Sequence, residues 1–135
     1  MWLRAKARSS LKLELFVLHA TTHGAGYDRR LPPRMRRKLR RAPYSAYSKY
    51  KMLSRRNARV SFAKPLQMAL PGGDTLRLSA RPAGRRYAIH AEIRRRKGKF
   101  YPVLRTHARP GELFFISGHR LRKGVVFVGV RVKAR

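Results

Sequence analysis

The chain has 135 residues, of which 35 are Lys or Arg and five are Asp or Glu, so its formal net charge is +30 at pH 7. This length fits a single domain over residues 1–135. Hydrophobic residues make up 43% of the chain, a share that separates it from disordered basic tails. Cysteine is absent, which excludes disulfide scaffolds and thiolate zinc sites.

The N-terminal part predicts a strand preceded by a basic segment. Residues 11–20 (LKLELFVLHA) alternate apolar and polar residues before Phe16 and Leu18 make the second side apolar too. This pattern predicts a strand that enters from an edge of a sheet and becomes buried on both sides. Lys12 and Glu14 interrupt the apolar run and argue against a signal peptide. Residues 1–10 form either part of the domain or a flexible basic arm.

The segment 29–41 (RRLPPRMRRKLRR) is mostly Arg and Lys and contains no acidic residue. Pro32 and Pro33 suit the first turn of a helix, and Pro43 is expected to end it. Met35 and Leu39 are four residues apart and form a narrow apolar face, which Ala42 continues. Crowded guanidinium groups repel one another, so the segment is better explained by an external polyanion than by internal salt bridges.

Tyr44, Tyr47 and Tyr50 recur at every third position among basic residues. Such tyrosines can stack on bases, but in a half-buried segment they more often pack their rings on the core. We favour the packing interpretation and keep Tyr47 as a candidate contact. Val60 and Phe62 then predict a short strand.

The remainder predicts three hairpins. Residues 66–70 and 75–80 flank the turn sequence Pro-Gly-Gly-Asp. Residues 86–94 and 99–106 are joined by the tip RRKGK, and Pro102 suggests an edge strand or a bulge. Residues 112–117 and 124–132 pair around GHRLRKG.

These elements predict a mainly β domain: an antiparallel sandwich or closed barrel of about seven or eight strands with one short basic helix. We expect the helix to cap one end or to cover a sheet edge. Residues 66–80 (LQMALPGGDTLRLSA) and 112–132 end their strands in Gly-bounded apolar runs and resemble uncharacterised bacterial β-sandwich domains. That resemblance spans about the C-terminal half and implies a sandwich, with no functional residue to carry over.

Catalysis is not predicted. The five acidic residues are scattered, no Gly-x-Ser-x-Gly elbow surrounds Ser117, and no Walker motif is present. His19 and His23 are four apart, but the first ends a strand and the second lies in a Gly-rich loop, so the spacing does not define a metal site. We therefore expect no enzyme activity, no metal and no cofactor.

The sequence predicts a nucleic-acid-binding protein that grips the phosphate backbone, because Lys and Arg release condensed counterions when they neutralise phosphates. Structured RNA in a ribonucleoprotein such as the ribosome is favoured over packaged DNA, by analogy with compact basic β domains. The candidate contacts are Arg29, Arg30, Arg34, Arg36, Arg37, Lys38, Arg40, Arg41, Tyr47, Arg55, Arg56, Arg85, Arg86, Arg94, Arg95, Arg96, Lys97, Lys99, Arg120, Arg122 and Lys123.

The alternative is a structural or assembly protein that docks on an acidic protein, an anionic lipid surface or a polysaccharide. Other proteins of a larger assembly are further expected partners. A cytoplasmic or other reducing compartment, in a ribonucleoprotein or nucleoid, fits the lack of cysteine and leaves an organellar or exported location open. No apolar run approaches the length of a transmembrane helix.

Overall fold

Two β-sheets pack face to face in the computed structural model, which describes residues 9–133. One sheet has five strands in the order β2-β3-β1-β9-β8, and the other has four in the order β4-β5-β6-β7. The strands are β1 (Ser10–Thr21), β2 (Gly26–Tyr27), β3 (Lys49–Ser61), β4 (Leu66–Ala69), β5 (Thr75–Ala83), β6 (Arg86–Arg94), β7 (Tyr101–Ala108), β8 (Leu113–Leu121) and β9 (Gly124–Val132). The helical segments are α1 (Pro33–Leu39) and a 3₁₀ turn (Tyr44–Ala46).

The mainly β class is confirmed, and the arrangement is a sandwich. All neighbouring strands pair antiparallel except the short β2, which runs parallel to β3. Residues 9–133 form no closed barrel, because they divide into two separate sheets. The described residues form nine strands, compared with the seven or eight that were predicted. The proposed basic arm falls largely on residues 1–8, which lie outside the described residues.

A first apolar core fills the space between the sheets. Leu13 and Leu15 of β1 face Leu76 and Ile89 of the second sheet, and all four are at most 2% exposed. Each side chain of this size contributes about 1.5–3 kcal/mol when it is fully buried. The burial pattern of β6 alternates, and its odd-numbered positions point inward.

β1 lies at the centre of its sheet, between β3 and β9, so its predicted entry from an edge was wrong. Its burial on both sides is confirmed from Leu13 to Leu18. Glu14 is also buried there, and it accepts hydrogen bonds from Arg55 Nε at 2.6 Å and Arg131 Nε at 2.9 Å. Burial alone would raise the pKa of Glu14, but these bonds outweigh it and hold the pKa below its ordinary value.

α1 lies on the outer face of the five-stranded sheet rather than at an end or an edge of the sandwich, which corrects the prediction. Met35 and Leu39 point into a second apolar core with Phe16, Phe115 and Phe127. The helix lies there because β1 and β9 are apolar on both faces. The four-stranded sheet covers only the inner face, so the outer face needs another cover. The helix ends at Leu39, and Ala42 is exposed beyond it rather than continuing its apolar face.

Two strands are longer than predicted. β3 begins at Lys49, yet residues 53–57 are exposed on both sides and show no apolar alternation; backbone pairing with β1 extends the strand. β8 continues through most of the predicted loop GHRLRKG to Leu121, with an irregular register between Ser117 and Arg120. Gly118 permits this path, because an added Cβ would lie 2.7 Å from the carbonyl oxygen of Val126.

The other hairpins are confirmed. Leu70 N donates to the Asp74 carbonyl at 2.8 Å and closes the Pro-Gly-Gly-Asp turn between β4 and β5. Gly72 and Gly73 both have positive φ angles in this turn, which only glycine adopts at little cost. β7 is an edge strand, and its register with β6 shifts between Ala91 and Glu92, opposite Pro102.

Candidate nucleic-acid interface

The tips of two hairpins meet at one end of the sandwich together with the β4–β5 turn. An added Cβ at Gly72 would lie 2.9 Å from His119 Nε2, and one at Gly73 would lie 3.3 Å from Arg96 Cγ. The turn therefore contacts both the β6–β7 hairpin and the β8–β9 hairpin. The β6–β7 tip reaches the turn through the pairing of β5 with β6 in one sheet, whereas the β8–β9 hairpin reaches it only because the two sheets stack.

We call the surface at this end the cationic end and define it by Arg95, Arg96, Arg120, Arg122 and Lys123. One hollow of about 440 Å³ is lined by the four arginines. An adjoining hollow of about 540 Å³ shares Arg120 and Arg122 and adds Lys123. All five side chains are exposed. A polyanion lying across these hollows would meet guanidinium groups from two hairpins.

The carboxylate beside the cationic end is held by a histidine rather than by an arginine. Asp74 is 4% exposed, and its Oδ2 lies 2.5 Å from His119 Nδ1. The contact has the distance of an ion pair without the angles of a hydrogen bond. It binds the β4–β5 turn to β8 and leaves the neighbouring arginines to face solvent.

Arg96 and Arg122 adopt the left-handed backbone region, with φ of 40° and 56°. Each sits at the tip of a hairpin, where glycine or asparagine would be the unstrained choice. A long cationic side chain at such a position costs conformational energy, of order 1 kcal/mol or more. Two arginines in this state at one end of the fold suggest that the guanidinium groups, rather than the turns, account for the residue choice.

The carboxylates are largely committed elsewhere. Within residues 9–133, ion pairs engage Glu14, Asp28 and Glu92 with Arg30, Arg55, Arg77 and Arg131, and Asp74 lies against His119. Glu14, Asp28 and Glu92 therefore serve local ion pairing with arginines. None of these ion pairs includes a residue of the cationic end, so its charge is not neutralised by them.

Two of the predicted contacts support the fold. Arg30 donates to both oxygens of Asp28 and to the Met52 carbonyl at 2.8 Å, and its hydrogen bonds lower the pKa of Asp28 far below the ordinary range. Arg55 binds Glu14, and its guanidinium lies 5.1 Å from the centre of the Phe16 ring. These contacts assign both side chains a structural role.

The helix carries a second basic surface. A groove beside α1 is lined by Arg34, Arg37, Lys38 and Arg41. Lys38 is the least available of them, because burial lowers its pKa and its Nζ donates to the carbonyl oxygen of Leu113. Arg40 stacks 5.5 Å from the centre of the Tyr27 ring. The helix therefore offers fewer free cations than its sequence suggests.

The remaining candidates are dispersed. Arg86 begins β6 and lies about 27 Å along that strand from Arg94, and Arg85 lies in the turn just before it. Arg94 is half-buried, with its guanidinium 5.0 Å from the centre of the Phe100 ring. The other exposed or half-buried candidates are Arg29, Arg36, Arg56, Lys97 and Lys99.

Tyr47 packs into the second core. Its ring centre lies 5.7 Å from that of Phe127 and 6.3 Å from that of Tyr50, both at nearly right angles. The Tyr50 hydroxyl donates to the Tyr44 carbonyl at 2.7 Å, and burial raises the pKa of Tyr50. Tyr47 is half-buried and also borders the hollow beside Arg122. These contacts favour the packing interpretation.

One concentration of positive charge was missed by sequence reasoning. Lys64, Arg81 and Arg105 line a cleft on the outer face of the four-stranded sheet. Each belongs to a different element, so no charged run marks them. Only the pairing of strands, which sets side chains in cross-strand rows, could have signalled this site.

In residues 9–133, no three His, Asp or Glu side chains assemble into a metal-binding group. None of the helices in that part of the chain is both long and apolar enough to span a membrane. Comparisons with family models, with curated proteins and with solved structures found no match for the chain.

Proposed function

We propose that this protein binds nucleic acid without catalysing a reaction, and that it grips the phosphate backbone of structured RNA within a ribonucleoprotein such as the ribosome. Packaging of DNA is the second form of the same proposal. The observation that carries it is the cationic end, where two hairpins present five exposed cations whose charge the ion pairs leave unneutralised. Arginine suits this role because its planar fork donates two hydrogen bonds to one phosphate.

Shape recognition is a better fit than base reading. α1 has only seven residues and buries Met35 and Leu39 on the sheet, so it cannot lie deep in a major groove. The cationic end instead offers long side chains at turns held by a rigid sandwich. Contacts of that kind position a protein on a phosphate backbone and carry no base sequence. Structured RNA, which is recognised by shape and backbone, suits them.

The two strained arginines provide a test in which binding and stability respond in opposite directions. In the double variant Arg96→Gly, Arg122→Gly, glycine relieves the left-handed backbone, so the free energy of unfolding should stay equal or rise by up to about 1 kcal/mol per site. Affinity for a structured RNA near 0.1 M salt should fall by about 25- to 60-fold, since two phosphate contacts are lost. Fluorescence anisotropy and thermal melting measure the two quantities.

The matched control is Arg85→Gln, Arg86→Gln. It removes two exposed charges where β6 begins, at the end of this strand that is far from the cationic end. A clearly smaller loss is expected there, because those residues are outside the cationic end. Equal losses in the two variants would mean that RNA responds to total charge alone, and the cationic end would then not be the contact surface.

A further inference from the structure

The outer face of the four-stranded sheet is divided into two halves of different character. In the half nearer the cationic end, Arg77 Nε donates to Glu92 at 2.9 Å, and its guanidinium lies 3.9 Å from the centre of the Phe100 ring. Arg94 lies on the same ring. The charges and aromatic surface of this half are used within the protein.

The other half consists of two cross-strand rows. Ser79, His90 and Arg105 are directly paired across β5, β6 and β7, and Arg81, Ala88 and His107 form the next row. Their side chains share the outer face, because the residues between them on β5 and β6, Ala80 and Ile89, are buried in the core. The small Ser79 and Ala88 leave room between the longer side chains.

The β3–β4 connection forms a wall beside these rows. Lys64 N donates to the Ser61 carbonyl at 3.3 Å, and Ala63 N donates to Ser61 Oγ at 3.1 Å, so the connection is a defined tight turn. Phe62 anchors it, since its ring stacks on Tyr87 with the centres 6.1 Å apart. The rows and the wall enclose a cleft of about 610 Å³. Ligand clefts in proteins typically measure about 300–1,000 Å³.

The chemistry of the cleft is that of an anion site. Its 14 lining residues include Lys64, Arg81 and Arg105 and no acidic residue. In contrast to Arg77, neither Arg81 nor Arg105 takes part in the ion pairs found within residues 9–133. His90 also lines the cleft, and its buried Nε2 has no hydrogen-bond partner among the described residues.

We propose that this cleft binds a small ligand through a diphosphate or triphosphate group. Arg81 and Arg105 lie on β5 and β7, about 10 Å apart on either side of β6, so their long side chains can close on an oligophosphate from two sides. Lys64 supplies a third positive charge from the wall. The same chemistry is offered by a free oligophosphate, by a nucleotide or by the 5′ end of an RNA. This site does not depend on the nucleic-acid role of the cationic end.

The test is calorimetric titration of the full chain with inorganic tripolyphosphate at constant ionic strength. One saturable site is expected, and Arg81→Gln, Arg105→Gln should weaken it about tenfold or more, because two charge-assisted contacts are lost. The matched variant Arg29→Gln, Arg56→Gln removes the same charge from exposed positions outside both the cleft and the cationic end and should leave the affinity nearly unchanged. Equal weakening in both variants, or no saturable site, would overturn the proposal.

A second variant separates shape from charge and from folding. Ala88→Leu fills the floor of the cleft from the outer face of β6 and keeps the net charge. It should abolish tripolyphosphate binding without lowering the melting temperature appreciably. Unchanged tripolyphosphate binding in this variant would overturn the site. Its affinity for a structured RNA with a 5′ hydroxyl should equal that of the wild type. Tripolyphosphate binding therefore tests the cleft, and RNA binding separately tests the nucleic-acid proposal.

The two RNA ends distinguish the source of the phosphate. If the natural ligand is an RNA end, the same RNA with a 5′ triphosphate should bind more tightly than its 5′ hydroxyl form, and Ala88→Leu should remove the difference. If the ligand is a free oligophosphate or a nucleotide, both RNAs should bind equally while tripolyphosphate still binds in the cleft.

Discussion

Replacement of Arg95, Arg96, Arg120 and Arg122 by Gln is expected to lower the affinity for structured RNA by about a thousandfold near 0.1 M salt. Each lost phosphate contact removes about 0.7 to 0.9 from the slope of log affinity against log salt, so the slope should become shallower by about 3 to 4. The four side chains are exposed and form none of the ion pairs found within residues 9–133, which is why the melting temperature should change little.

A charge-matched variant completes this experiment. Arg56, Arg59, Arg85 and Arg86 are exposed and lie outside the cationic end, and their replacement by Gln also removes four charges. The loss of affinity should be much smaller, since only the general attraction between a basic protein and a polyanion is reduced. If the slope of log affinity against log salt is reduced equally in both variants, the cationic end has no special part in binding.

Phe127→Ala is expected to destabilise the protein by about 3–5 kcal/mol, the usual cost of truncating a buried aromatic side chain. Phe127 is 6% exposed and is surrounded by the rings of Tyr44, Tyr47 and Tyr50. Its removal leaves a cavity under the tyrosines and α1, at the centre of the second core. Chemical denaturation followed by far-UV circular dichroism measures the change in the free energy of unfolding.

Phe100→Ala is the control for this variant. Phe100 is half-buried on the outer face of the other sheet and contacts Arg77 and Arg94 rather than an apolar core. We expect a loss of about 1 kcal/mol there, in the range of single cation–π contacts. If Phe127→Ala costs no more than Phe100→Ala, the second core does not hold the helix on the sheet.

The parts of the fold that were predictable depend on local signals. Tyr87, Ile89, Ala91 and Ile93 alternate with Ala88 and three polar residues, and Pro-Gly-Gly-Asp is a turn sequence in any context. The greater part of β3 had no such signal, because residues 53–57 carry no alternation and are held by hydrogen bonds to β1. The position of α1 also depended on a partner surface that becomes visible only when β1, β8 and β9 are side by side.

The residues of the candidate site could be predicted from the sequence, but their arrangement could not. Arg95, Arg96, Arg120 and Arg122 are recognisable as exposed cations at turns, but their meeting at one end depends on how the two sheets stack. The structural roles of Arg30 and Arg55 depend on buried carboxylates that the sequence does not mark. Lys64, Arg81 and Arg105 are single charges in ordinary strands or loops, so nothing in their neighbourhoods distinguishes them.

The most direct measurement is a salt series of binding by the purified, nuclease-treated protein to structured RNA, duplex DNA and a heparin-like polyanion of matched charge. We expect RNA to be held more tightly than the other two ligands at physiological salt, because the arrangement of cations on the sandwich suits the shape of its backbone. If all three ligands bind equally and dissociate together as salt rises, the charge is generic and the nucleic-acid proposal is contradicted. An acidic protein, lipid or polysaccharide partner would then be the proposal to pursue.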